Sequence, residues 1–306
     1  MDRRPNASVS VERGTKEAVP GAPRSGIDAV RPETLRIGGL RLEGVSRAGE
    51  ETWLRVHPPG LAFDVGRGAL QLAGSACLFI THGHLDHALG VPYVLSQRSL
   101  HHEAGTRVFC PRAVAGAMRD LVAAAARLEE VDYDYELVPF APGDRVDVGR
   151  DLAVEAFATD HVVPSLGYHL WRRRRRLRAE LRDRSGEEIA ALRAAGQEVT
   201  ETVEDLALSY CGDTGPGVFD REPRLFGAGV LVVECTFVGE GLEEKGTRYK
   251  HLHLADLAAR AGRFDNRAIV LTHLSRRHRR SDLEEEIRRV LPELAERVHV
   301  LIGERG

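Results

Sequence analysis

The sequence predicts an α+β chain in which two mixed β-sheets face each other and helices cover their outer sides. Three observations carry that expectation. From Leu35 to Phe63 the chain reads as strands alone. Beyond Ala76, strand-like apolar runs alternate with helix-like stretches through both halves, a pattern that layers helices onto sheets. A chain of 306 residues with 42% apolar and 29% charged content can bury a large core.

In order, Met1 to Arg31 is polar, mixed in charge and without apolar period, and is expected to be a disordered leader before one domain over 32–306. Leu35-Arg36-Ile37 and Leu40-Arg41-Leu42 alternate as a hairpin does. Thr52 to Val56 and Leu61 to Phe63 follow as strands, separated by the turn Pro58-Pro59-Gly60. Ala76-Cys77-Leu78-Phe79-Ile80 reads as a buried strand. Pro111 to Glu130 has helical spacing with Pro at its start. A strand pair is expected over Glu136 to Phe157, with its turn at Pro142-Gly143-Asp144. Arg172 to Gly196 reads as helix-prone and highly charged, within an insertion at about 171–205. Leu206 to Cys211, Val230 to Glu234, Ala268 to Leu271 and Val298 to Ile302 read as strands. Leu254 to Arg263 and Asp282 to Val290 read as helices. No short-period repeat is present.

The net charge of −3 excludes a polycation, so any nucleic acid must be held by local basic patches. Four scattered cysteines form no Cys-x-x-Cys pair, which argues against a structural zinc knuckle and fits a reducing cytoplasm. No apolar run reaches membrane-spanning length. The N-terminus lacks the apolar core of a secretory signal, and Glu12, Glu17 and Asp28 count against a transit segment.

The chemistry concentrates in Thr81-His82-Gly83-His84-Leu85-Asp86-His87, at the end of the buried strand. Alternate residues of an extended segment share a side, so His82 and His84 point together. Three imidazoles and a carboxylate within six residues suit zinc and its first-row neighbours, and can surround more than one ion. Packing alone gives no reason to gather them there.

This motif, His-x-His-x-Asp-His after an apolar strand, resembles the signature of metallo-β-lactamase-fold hydrolases. That resemblance implies an αββα sandwich. Further segments narrow it to ribonuclease Z, the tRNA 3′-end endonuclease family, over roughly residues 35–304, and the stretch from Gly167 to Thr214 resembles its short, plant-type forms. They are His161-Val162-Val163-Pro164-Ser165-Leu166-Gly167-Tyr168, Gly212-Asp213-Thr214, Glu234-Cys235-Thr236-Phe237, His251-Leu252-His253 and His273-Leu274-Ser275-Arg276-Arg277-His278. The last departs from the family's His-Phe-Ser-x-Arg-Tyr at Leu274 and His278.

Carried over position by position, the resemblance implies His82, His84 and His161 for one metal and Asp86, His87 and His273 for the other, with Asp213 bridging. Two Zn2+ per subunit are expected, Mn2+ being possible. Asp86 has a second candidate role as acceptor of the attacking water's proton. His251, oriented by Glu234, is the expected proton donor to the leaving 3′ oxygen; the gap from His251 to His273 matches the family, which leaves His253 supporting or structural. Asp64 either holds a ligand histidine in one tautomer or simply forms a turn. Arg172, Arg173, Arg174, Arg175 and Arg176 are either a solvated face or RNA contacts, at the place where the family inserts a tRNA-clamping arm. The implied substrate is precursor tRNA, and the implied assembly is a homodimer. Two rivals stay open: a same-fold phosphodiesterase for a small substrate such as a cyclic nucleotide, and a non-catalytic RNA-binding protein.

Overall fold

The computed structural model describes residues 10–12, 30–275 and 277–305. Two mixed sheets form the frame. The first begins antiparallel, with Glu33–Ile37, Leu40–Arg47, Glu51–His57 and Leu61–Val65 side by side. It continues parallel through Cys77–Phe79, Thr106–Pro111 and Tyr135–Phe140. The second repeats the plan. Arg145–Gly149, Leu152–Ala158, Leu166–Leu177 and Thr200–Tyr210 are antiparallel, and Val230–Glu234, Ala268–Thr272 and Val298–Val300 then add in parallel.

Alternation along these strands builds four layers. Inward-facing Leu54, Phe63, Phe79 and Phe109 of the first sheet meet Val154, Tyr168, Leu208, Val232 and Val270 of the second. Their neighbours Ala62, Leu78 and Val108 face outward, under helices Val91–Leu100 and Ala115–Glu129. Leu231, Val233, Ile269 and Leu271 likewise lie under Leu254–Ala258 and Arg280–Val290. The αββα expectation is met, and the inner parallel strands Cys77–Phe79, Val230–Glu234 and Ala268–Thr272 are buried on both faces.

Three local expectations are corrected. The Arg run is not helical. Arg172–Leu177 completes a twelve-residue strand whose partner Thr200–Tyr210 sets Asp205, Glu204 and Glu201 opposite Arg172, Arg173 and Arg176. Cross-strand charge pairing overrides arginine's helix preference. The helix in this insertion is Gly186–Ala194 alone, opened by the Ser185/Glu188 capping box. Second, Pro142-Gly143-Asp144 is no hairpin turn. It carries the chain from the last strand of the first sheet to the first strand of the second. Third, Ser10–Glu12 pairs with Glu33–Ile37, and Val30–Arg31 pairs with Glu304–Arg305, so the leader is not wholly without structure. The rest of the leader lies outside the described residues.

Candidate metal centre

The parallel strands of both sheets end at one edge of the sandwich, the place where α/β sheets present side chains to ligands. Asp64 lies near the end of Leu61–Val65, and His82 follows Cys77–Phe79. Asp213 follows Thr200–Tyr210, Glu234 ends Val230–Glu234, and His273 follows Ala268–Thr272. A one-turn helix, Leu85–Ala88, turns Asp86 and His87 back toward the same point.

Three groups of donors result, of which two hold the expected ligands and the third joins Asp213 and His273 to His251. His82, His84, His161 and Asp213 bring one donor atom each to within 4.8 Å of one another, and Asp86, His87 and His273 do the same. Asp213 stands between them. Its Oδ2 is 3.7 Å from His82 Nε2 and 3.4 Å from His273 Nε2, and its Oδ1 is 3.4 Å from His87 Nε2. All seven residues expected as ligands are therefore gathered in one place. Asp64 and His273 both hold φ near +53°, a left-handed backbone uncommon outside glycine. Gly212 also has positive φ, and a Cβ there would come within 2.7 Å of Thr81.

The donor set fits divalent cations. His82 Nε2, His87 Nε2 and Asp213 Oδ1 are buried and find no hydrogen-bond partner among the described residues, although buried polar atoms are nearly always paired. Imidazole nitrogens with carboxylate oxygens are zinc's ordinary ligands. The electrostatics agree. Burial opposes the charge on Asp213, yet His273, His87 and His82 hold its carboxyl well below the usual range. Burial likewise works against Asp86, and His273 and His87 still keep it low.

Asp64 is no simple turn residue. Fully buried, it accepts from Thr81 N at 2.8 Å, from Tyr210 Oη at 2.9 Å and from His87 Nδ1 at 2.9 Å. It thereby turns His87 Nε2 toward the cluster. Glu234, also fully buried, lies 2.6 Å from His251 Nδ1 through Oε1. Burial disfavours the His251 cation, but Glu234 raises its pKa to about 9. His251 lies at the rim, its ring 5.2 Å from that of His161 and 5.3 Å from that of His273.

His253 is placed differently. Its Nδ1 accepts from Ala255 N at 3.1 Å and its Nε2 donates to Gly239 O at 2.8 Å, so it caps the helix Leu254–Ala258. Both ring nitrogens are used, and the proton-donor candidacy rests with His251. The five arginines lie along a strand that leaves the site at Leu166. At about 3.3 Å per residue, Arg176 is roughly 30 Å from that point. Arg173 binds Asp147 at 2.7 Å and Glu204 at 3.0 Å, while Arg174 pairs with Asp205 and Arg175 with Glu198. Over 171–205, nine arginines face eight carboxylates, so the insertion is nearly neutral. Sequence reasoning gave no role to Thr81, Tyr210 and Thr236, which touch these carboxylates; the signal was their place next to His82, before Gly212-Asp213-Thr214 and after Glu234.

Comparison with known proteins agrees with this geometry. Residues 63–274 match the Beta-lactamase superfamily domain. The chain is 30% identical over 274 residues to tRNase Z TRZ1 of Arabidopsis thaliana, covering 89% of this chain and 98% of that protein. Among solved structures, the metallo-β-lactamase fold protein YhfI of Bacillus subtilis superposes with a TM-score of 0.58 at 14% identity, over 87% of this chain and 98% of that one. The short form of human tRNase Z gives 0.52 at 21% identity, over 76% and 92%. With strand-end ligands, fold and relatives all in agreement, the chain belongs to the metallo-β-lactamase superfamily and, within it, to the tRNase Z (ribonuclease Z) family.

Proposed function

We infer that this protein is a zinc-dependent endoribonuclease that removes the 3′ trailer of precursor tRNA, leaving a tRNA 3′ hydroxyl and a 5′-phosphorylated trailer. The observation that carries the reading is the 2.6 Å contact between His251 and Glu234 at the rim of the ligand cluster. A ribose 3′ oxygen leaves poorly as an alkoxide and needs a proton at that moment. His251, charged through Glu234, supplies it. Family membership points to tRNA as the source of that ribose.

His82, His84, His161, Asp86, His87, His273 and Asp213 would hold two Zn2+ ions, with Mn2+ as a substitute. Bound there, divalent cations supply an acidified water and positive charge opposite the phosphoryl oxygens. Asp213 and Asp86 keep the ligand face anionic. Glu234 holds His251 with its free Nε2 toward the scissile ester, and the proton moves from that nitrogen to the departing 3′ oxygen. A homodimer is expected from the family, and the four free cysteines fit a reducing cytoplasm.

The test is direct. Zinc-loaded protein incubated with a labelled precursor tRNA should make one cut just after the discriminator base, and a chelator should abolish it. Mapping of both product ends checks this. Hydrolysis of a simple phosphodiester without any cut in the precursor would reject the substrate assignment.

A second reading, a same-fold phosphodiesterase for a small substrate, has one observation in its favour: carboxylates occupy three of the arm's five consecutive arginines. Replacing Arg172–Arg176 with alanines separates the two. A clamp for tRNA predicts roughly tenfold or greater loss of precursor affinity, from forfeited phosphate contacts, with a chromogenic diester turned over as before. Unchanged affinity, measured by filter binding at two salt concentrations, would place RNA binding elsewhere.

A further inference from the structure

The two sheets support the ligand cluster in the same way. Each contributes one buried carboxylate near a strand end, and each carboxylate serves one histidine directly and a second through a threonine. In the first sheet, Asp64 Oδ2 binds His87 Nδ1 at 2.9 Å. Thr81 Oγ1 lies 2.9 Å from both Asp64 oxygens and 3.0 Å from His82 Nδ1. In the second, Glu234 Oε1 binds His251 Nδ1 at 2.6 Å. Thr236 Oγ1 lies 2.6 Å from Glu234 Oε2 and 2.9 Å from His273 Nδ1.

Proton counting settles the direction of each bond. A threonine hydroxyl carries one proton, and an ionised carboxylate only accepts. Thr81 and Thr236 must therefore donate to Asp64 and Glu234. Each hydroxyl then has only lone pairs left for the imidazole beside it, so His82 and His273 must carry their protons on Nδ1. Their Nε2 atoms are left bare and turned toward Asp213, at 3.7 and 3.4 Å. Thr236 Oγ1 is also 3.3 Å from His251 Nδ1, but Glu234 is the nearer acceptor for that proton.

We propose that Thr81 and Thr236 are positioning residues, which fix the metal-binding tautomers of His82 and His273, and that Glu234 thereby supports the second cation as well as the proton donor. Thr81 serves the group of His82, His84 and His161, and Thr236 serves the group of Asp86, His87 and His273. The inference rests on the two-cation reading of the cluster, not on the identity of the RNA. It makes Asp64 and Glu234 equivalent devices, one per sheet.

The experiment is a zinc titration of the full chain in competition with a chromophoric chelator, comparing wild type with Thr81→Val, Thr81→Ser, Thr236→Val and Thr236→Ser. Valine keeps the shape and removes the hydroxyl; serine keeps the hydroxyl. Each valine variant should weaken one of the two zinc-binding steps by about 10–100-fold, the range for loss of an orienting partner, and leave the other step near its original value. Each serine variant should restore it. Melting of the metal-free proteins checks folding, and serine rescue excludes a packing effect. Valine variants that bind both ions as tightly as wild type overturn the proposal, as do serine variants as weak as valine. A wild-type protein that takes up no zinc overturns the cation reading beneath it.

Discussion

Asp213→Ala is expected to lower precursor cleavage by at least ~10³-fold, since two-cation chemistry supplies several kcal/mol and each 1.4 kcal/mol is tenfold in rate. Asp213 touches both ligand groups, through His82 on one side and His87 and His273 on the other. It is 2% exposed, so water does not replace it readily. Its removal leaves Asp86 as the carboxylate beside His87 and His273, and takes from His82 the one that joined it to them. Bound zinc, measured by elemental analysis, should fall from two per chain to one or none. Single-turnover cleavage gives the rate. Near-normal rates with two zinc ions retained would refute the bridging assignment.

His251→Ala should reveal itself through the leaving group. Loss of a general acid costs about 10²–10⁴-fold where the departing oxygen is a poor leaving group. A ribose 3′ oxygen is one, and a nitrophenolate is not. Precursor tRNA cleavage should therefore fall by that factor, while a nitrophenyl diester loses little. Zinc content should stay at the wild-type value, because the site binds through other histidines. Equal losses on the two substrates would mean that His251 acts in binding or folding and not as the acid. His253→Ala, by contrast, should show up in stability, since that ring caps a helix and lies hydrogen-bonded at both nitrogens.

How far each feature was legible in the sequence follows from the range of the interactions behind it. His82, His84, Asp86 and His87 were readable because one strand end and one helical turn place them, within six residues. His161, Asp213 and His273 stand at strand ends too, but their convergence depends on sheet order, and only the family resemblance supplied it. The Arg run misled because its structure is decided by Glu201, Glu204 and Asp205, some thirty residues further along the chain. Pro142-Gly143-Asp144 carries the composition of a turn in a hairpin and in a crossover alike, and no local residue tells them apart. Thr81 and Thr236 were invisible for a different reason. Neither a threonine before a histidine, as Thr81 is, nor one two residues after a glutamate, as Thr236 is, is unusual, and its task appears only when the carboxylate and imidazole around it are placed.

The two ligand groups share a feature with consequences for folding. His82 and His84 extend from the first sheet and His161 and Asp213 from the second, while Asp86 and His87 come from the first and His273 from the second. His273 is moreover held by its own N–H, which donates to Ser46 Oγ of the opposite sheet at 2.7 Å. A cation at either position is thus a further cross-link between two halves that already meet through apolar contact and a few hydrogen bonds, such as Tyr168 Oη to Ile80 O and Tyr210 Oη to Asp64. Ligand-linked stabilisation amounts to about 4 kcal/mol at a thousand times the dissociation constant, a large part of the 5–15 kcal/mol on which a typical domain depends. Metal supply would then set how firmly the sandwich stays closed, and with it the lifetime of the protein, as well as the rate at which it cuts.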